Sequence, residues 1–473
     1  MSKKPNNGPL VRSNKHTYIR FINSSKIDPL YEFISEYREA VLFCVDYIWD
    51  LKLEWITKNI KNKDTGKNIT HIWDREKDYL DCPGFISTTK IGYQGKLSAR
   101  ALKCAATQAC GIVQAVANKR EKNLFTKNYL ESNNKTPGKT LLNRLNKGMT
   151  KPDCKEINCE LNSICMDIQL SKDIQLNKDI DLNKTKYFEG FVQLKSIWTE
   201  EKISGYPRGY KIRIPFKTFE RAKKWSEKGK LLNSILLNET CISLRYEIKR
   251  PEIKKEGKRV AIDQGISSLL MTTDESNNKR FIPDIHGHTF SGILEKLARK
   301  KRGSRAFQRA CEHRKNFINH FIKQLDLNEI REVLLEEIIN INYGRNVSRK
   351  LKHFVNTLIR DSLIKLCEET GVLFTLVANE FNSQRCFACG WTRKANRKGK
   401  AFKCTRCGHC DDADHNAAQN ILIRDTLFEL PWGFRRLKLN LKGFYWTLDG
   451  LADANGQELV VPAVPSIEQN LLV

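Results

Sequence analysis

Apolar residues recur at helical spacing in two long stretches near the start of this 473-residue chain. After Asp28, which can cap a helix, and Pro29, whose missing N–H costs nothing in a first turn, Leu30, Phe33, Ile34, Tyr37, Val41, Val45 and Ile48 define one apolar face. A second helix is predicted from about Ser98 to Lys122, where Leu102, Ala105, Ala109, Ile112, Val113 and Val116 share a face of mostly small residues. These faces suit a packed helical pair. Alternating patterns predict strands instead at HTYIRFI (16–22), FEGFVQLKSIW, YKIRIPF and CISLRYEI, the last three within 187–250 around a helix near Phe219–Lys228. Strands on both sides suggest a small barrel completed by the N-terminal segment. Between these regions, residues 123–155 are rich in Lys and Asn and suit a mobile or nucleic-acid-facing stretch. The repeat DIQLSK–DIQLNK–DIDLNK over Asp167–Lys184 alternates Ile and Leu, as a half-exposed strand or hairpin does.

From 258 the pattern changes. KRVAIDQGISSLLMTTD predicts two strands around a turn at Gly265, followed by a long basic helix over roughly Thr289–Leu325. The strand EVLLEEI comes next, then a helix at about Arg349–Thr370 ending at Gly371, the strand VLFTLV and a last helix from Asp414. This order predicts an α/β unit with a mixed sheet.

Composition narrows the partners. The 82 Lys and Arg against 54 Asp and Glu leave a formal charge of +28, which a polyanion relieves with release of counterions. Met1–Lys15 has no apolar core of an export signal, and no apolar run reaches the roughly 18 residues of a membrane helix. The 15 cysteines therefore read as thiols and metal ligands in a reducing cytoplasm, with no membrane partner. The sequence has no phosphate-binding Walker loop, no GxGxxG and no Ser/His/Asp set.

Three acids stand out by position. Asp263 ends the strand RVAID, Glu336 ends VLLE, and Asp414 opens the helix in DDADHNAAQNI. Carboxylates gathered at adjacent strand ends repel one another unless cations neutralise them, and hard oxygen donors favour Mg²⁺ or Mn²⁺. Two such ions about 4 Å apart suit phosphodiester hydrolysis, with Asp263 bridging both and Glu336 and Asp414 each completing one. Glu337 and Asp412, their neighbours, are the second choices. The clearest metal pattern is CFAC at 386–389 and CTRC at 404–407, two knuckles separated by 14 residues and each followed by a glycine. Cys386, Cys389, Cys404 and Cys407 fit a structural tetrahedral zinc site. Between the knuckles Arg393, Lys394, Arg397, Lys398, Lys400 and Lys403 offer phosphate contacts or a solvated charge run. Cys154, Cys159 and Cys165 lack that spacing and a clear fourth ligand.

The order of strand-Asp263, strand-Glu336, four-cysteine ribbon and DADHNAAQNI resembles the TnpB nucleases and the miniature type V CRISPR effectors, best over about 258–424. The motifs that carry the resemblance are Ile262–Gly265, Glu336–Ile338 and Asp414–Ile421, and LSARALKCAATQACGIV resembles the family's recognition helix. Glu337 stands where the family often has Asp or Asn, and Asn382-Ser383 replaces the usual Thr-Ser.

The resemblance implies an α/β and β multidomain chain. Its RNase H-like RuvC domain would span 258–380 and 412–424, interrupted by a zinc-ribbon insert at 381–411 that binds target nucleic acid. A first wedge-barrel strand would lie at 1–27, a helical recognition domain at 28–184, the wedge barrel and linker at 185–257 and a tail at 425–473. It further implies a guide RNA, target double-stranded DNA and recognition of a short adjacent motif. Unwinding would come from guide pairing, and cleavage from the one site of Asp263, Glu336 and Asp414, in a monomer or a homodimer on one RNA.

Overall fold

The alternation that forms the first strand lies earlier than the HTYIRFI segment: β1 runs Leu10–Thr17, and Tyr18–Ile22 turns away from it. The computed structural model describes residues 8–50, 93–132, 136–170, 190–199, 205–207, 209–217, 224–225, 227–265, 269–281, 287–338, 348–430 and 443–459. It divides into two units, Pro9–Lys249 and Met1–Gly8 with Arg250–Val473.

In the first unit, β1 is followed by α1 (Ile27–Asp50), α2 (Ala99–Ser132) and α3 (Lys139–Asn146). Helix α1 starts one residue before Asp28, so Asp28 lies in the first turn; Asn23 caps the short 3-10 turn that leads in. All seven residues of the expected α1 face are buried, as are Leu102, Ala105, Ala109 and Val113 of α2; Ile112 and Val116 are half-buried. The strands are β2 (Cys159–Asn162), β3 (Met166–Leu170), β4 (Gly190–Leu194), β5 (Ile212–Phe216), β6 (Gly229–Leu237) and β7 (Cys241–Ile248). They form two antiparallel sheets, β1-β7-β6-β2 and β3-β4-β5, and no closed barrel among the described residues. The N-terminal strand does join the later ones, pairing with β7 from Leu10↔Ile248 to Thr17↔Cys241. Of the hexapeptide repeat, 167–170 lie in β3 and 171–184 fall outside the described residues; of the helix near Phe219–Lys228, 219–223 and 226 do.

The second unit holds a five-stranded mixed sheet built from β8 (Lys258–Gln264), β9 (Leu270–Asp274), β10 (Arg280–Phe281), β11 (Ile330–Glu336) and β12 (Leu373–Val377), in the order β10-β9-β8-β11-β12. β8, β11 and β12 are parallel and β9 runs against β8. Two-residue alternation sends Ile262, Val333 and Leu335 to one face, against α4 (Phe290–Arg299), α5 (Arg305–Ile322) and α6 (Asn356–Thr370). Ala261 and Leu334 face the other way, onto Ile421 and Leu422. The single basic helix expected over Thr289–Leu325 is two: Gly303 takes φ +85 and Ser304 caps α5 by accepting from the Phe307 N–H, an ordinary stop followed by an ordinary start.

Candidate active site

The pleat that buries Ala261 and Leu334 also orients two of the acids. Asp263 and Glu336 lie two positions further along the same strands and so on the same sheet face. β8 and β11 are parallel with Ile262 opposite Leu335, so the next step brings Asp263 and Glu336 side by side. Their carboxyls lie near enough for each to act on the other's protonation. Glu337, one residue on, is exposed and spends its N–H on the Val377 carbonyl, which removes it from the cluster.

The third acid comes from the other side of that face. Helix α7 (Ala413–Leu422) packs across β8 and β9 and is buried at all ten positions. Asp412 is its N-cap, accepting from the N–H groups of Asp414 (2.9 Å) and His415 (3.2 Å), so its carboxylate serves the helix end. Asp414 is 3% exposed and Asp263 8%. Burial, the adjacent Glu336 and then Asp414 push the Asp263 carboxyl well above the usual range. Burial likewise raises Glu336, to about 7, although the Asp263 carboxyl and Arg397 act to lower it. Asp414 is held differently: Arg397 donates to it at 3.1 Å and Lys400 pairs with its second oxygen. Among the described residues the three carboxylates do not converge as tightly as the four thiols below; Asp263 and Glu336 face each other while cations of the inserted ribbon neutralise Asp414.

A pH dependence follows. An acid raised in the folded state stabilises the fold below its unfolded value, and that contribution is lost as pH rises through the folded value. Without divalent ions, wild type should therefore lose stability between about pH 4.5 and 7, by at most about 3 kcal/mol from Glu336. Thermal melts with EDTA should show this loss flattened in Glu336→Gln. A wild type that gains stability relative to the variant across this window contradicts the arrangement.

The ribbon is built from β13 (Trp391–Thr392), β14 (Arg397–Lys398), β15 (Ala401–Lys403) and β16 (Cys410–Asp412). β14, β15 and β16 make one small sheet; β13 joins β17 (Phe444–Trp446) and β18 (Leu451–Ala452) in another. The ligand atoms of Cys386, Cys389, Cys404 and Cys407 all lie within 4.8 Å of one another. Two of the sulfur–sulfur separations are 3.7 Å (Cys386–Cys407) and 3.6 Å (Cys389–Cys404). Zinc–sulfur bonds of about 2.3 Å at tetrahedral angles separate sulfurs by about 3.8 Å, so the donor set fits zinc. Cys410 is exposed and stands outside the set. Cys104 and Cys165 of the first unit lie 3.8 Å apart, but no group of three metal-binding residues forms around Cys154, Cys159 and Cys165 among the described residues.

Two asparagines of α7 to which the sequence reading gave no role join ribbon and helix. Asn416 accepts from the Phe387 N–H (3.0 Å) and donates to the Arg385 carbonyl (2.8 Å). One turn on, Asn420 donates to the carbonyls of Asn382 and Arg385 and accepts from the Arg385 guanidinium at 2.7 Å. Their signal was the i, i+4 spacing of two amides in a buried helix. Asn416→Ala leaves the Phe387 N–H without its acceptor and removes one of the two amides that donate to the Arg385 carbonyl, and should cost about 1–2 kcal/mol, read as a lower urea midpoint with unchanged slope. An unchanged midpoint contradicts that role.

The described part of the C-terminal tail packs on the ribbon. Trp446 is fully buried, its N–H bonds the Gly390 carbonyl and its own carbonyl accepts from Arg385. Gly390 has φ +75, and a Cβ there would lie 2.7 Å from the Trp446 carbonyl oxygen, so only glycine fits. Residues 431–442 of that tail fall outside the described residues.

Residues 358–421 match the family model "Cas12f1-like, TNB domain". A 93-residue stretch is 37% identical to "CRISPR-associated endodeoxyribonuclease Cas12f1" of Sulfoacidibacillus thermotolerans, covering 19% of this chain and 21% of that protein. An 88-residue stretch is 34% identical to "Putative transposase A625R" of Paramecium bursaria Chlorella virus 1, covering 17% and 20%. The matched stretches thus span about a fifth of each relative. In fold, 92% of the chain superposes on 93% of Alicyclobacillus acidoterrestris C2c1, solved with single-guide RNA, at a TM-score of 0.51 and 9% identity, a likeness of architecture alone.

Proposed function

This chain is a relative of the miniature type V CRISPR effectors and the TnpB-like proteins, and on that premise we propose that it is an RNA-guided, metal-dependent endodeoxyribonuclease. The observation that carries the reading is the meeting of Asp263 and Glu336 on adjacent parallel strands, facing the helix that bears Asp414. Buried carboxylates with raised protonation are an arrangement that hard divalent cations relieve. The Gln264 carboxamide, which donates to the Glu336 carbonyl, also keeps its own oxygen buried without a partner. Asp263, Glu336 and Asp414 would hold Mg²⁺ or Mn²⁺, which when bound activate water and stabilise the leaving oxygen of a phosphodiester. The chain's own part is to fix the three carboxylates on a rigid sheet and a buried helix. Arg397 and Lys400 compensate Asp414 in the metal-free state and stand ready to meet the scissile phosphate. Cys386, Cys389, Cys404 and Cys407 would hold zinc and brace the ribbon.

In this reading the RuvC-type domain comprises 258–380 and 412–424, and the insert at 381–411 contacts the target strand. Residues 1–27 and 185–257 act as the wedge, 28–184 as the recognition region, and 425–473 as a tail. The guide supplies sequence specificity by pairing, the protein reads a short adjacent motif, and the one carboxylate site cuts the DNA in a prokaryotic cytoplasm. The formal charge of +28 supports binding to both nucleic acids.

The test is to express the chain with its native flanking DNA, sequence the RNA that co-purifies, and challenge that complex with matching and mismatched plasmids. A discrete guide with matched-only cleavage is expected. A repeat-derived RNA would mark a CRISPR effector, and an RNA crossing a transposon end would mark a TnpB-like protein. Absence of any discrete RNA overturns the guided reading.

A further inference from the structure

The β3-β4-β5 sheet has two unlike faces. Val192, Leu194, Ile212 and Ile214 turn into the core and are fully buried. The alternate residues, Phe191 paired with Pro215 and Gln193 paired with Arg213, share the opposite face. There a cavity of about 450 Å³ is lined by Phe191, Arg213 and Pro215 together with Lys211, Phe21 and Lys26. Gln193, only 6% exposed, accepts from the Arg213 Nε at 2.9 Å and so orients the guanidinium, leaving its outer nitrogens for a ligand. Lys26 lies 4.2 Å over the Tyr210 ring with its ammonium on the Tyr210 hydroxyl, and Tyr210 ends a stack that continues through Tyr206 to Trp198. Among the described residues lining the cavity there are three cations, two phenylalanines and no carboxylate.

We propose that this cavity binds an unpaired nucleotide of a single strand, its base against Phe191 and Phe21 and its flanking phosphates on Lys211, Arg213 and Lys26. The volume lies within the roughly 300–1,000 Å³ of small-ligand sites. Aromatic faces accept any base, while guanidinium and ammonium groups follow the backbone. An acidic peptide would use the cations and leave the rings idle. The proposal rests on the nucleic-acid reading above, but its readout does not pass through cleavage.

The experiment uses the full chain, freed of co-purified nucleic acid in high salt. It titrates 12-nucleotide single strands carrying one 2-aminopurine, as RNA and as DNA, over a series of salt concentrations. Lys211→Ala/Arg213→Ala should weaken binding about tenfold and flatten the log–log salt slope by about 1.4, from two lost phosphate contacts. Phe191→Ala should weaken binding about fivefold or more with the slope unchanged, and should lose part of the 2-aminopurine quenching. The tighter of the two probes identifies the strand as RNA or DNA. Lys296→Ala/Arg299→Ala, exposed on α4, removes the same charge elsewhere and should change binding less than twofold. Equal losses in both double variants, or duplex and polyglutamate competing as well as single strands, overturn the proposal. Lys211 and Arg213 are both exposed, so their replacement leaves the fold intact, as a melting curve will verify. If these variants behave as stated while guided cleavage fails, the nucleotide site stands and the nuclease reading falls; the reverse outcome removes only the site.

Discussion

Asp263→Ala should reduce DNA cleavage at least about 10³-fold, the several kcal/mol that metal-borne charge stabilisation contributes, while guide and target binding stay within about threefold. The split follows from where the residue sits. Asp263 lies inside the sheet face with Glu336 beside it and Asp414 opposite, itself buried and uncharged toward a phosphate. The same substitution should raise the melting temperature of the metal-free protein, since it removes one member of a buried pair whose carboxyls are both pushed upward. Single-turnover cleavage of a labelled duplex, filter binding and a melt in EDTA read the three effects. Wild-type cleavage in this variant would remove the site assignment, and an unchanged melt would remove the account of its electrostatics.

The second large effect concerns the ribbon. Cys404→Ser should lose the zinc, detected as less than one ion per chain by elemental analysis, and cleavage should go with it. Structural zinc in small ribbons contributes on the order of 10 kcal/mol to their folding. Here the ribbon also holds the active helix: Asn416 and Asn420 clasp the first knuckle, and Arg397 and Lys400 reach from its loop to Asp414. Loss of the metal therefore displaces an acid that binds none of that zinc. Cys410→Ser is the matched control, exposed and outside the four-sulfur set, and should keep both zinc and activity. Retention of zinc and rate in Cys404→Ser would contradict the coupling.

Much of this was legible because it lies in short-range pattern. The α1 face, the knuckle spacing and the helix stop at Gly371, with its φ of +68, follow from local periodicity and turn chemistry. Two-residue alternation places Glu336 on the Leu334 face and leaves Glu337 exposed. What the sequence concealed is non-local. Nothing near Arg397 announces an ion pair with a residue 17 positions on, and nothing in the aromatic tail announces that Tyr445 will pair with Trp391. Basic charge runs on through Lys300–Arg302 while the helix does not, so charge alone hides the break that Gly303 makes between α4 and α5.

The spacing of the acids has a consequence for synthesis. Glu336 follows Asp263 by 73 residues, and Asp414 follows it by 151. At about 5–20 residues per second, a ribosome needs roughly 8–30 seconds to deliver the third acid after the first. The strand that closes β13, from Phe444 to Trp446, emerges later still. Through that interval the emerging chain already carries much of its positive charge and can gather nucleic acid. On the proposed reading its carboxylate cluster is unfinished throughout, so a half-made molecule would hold a strand that it has no means to break.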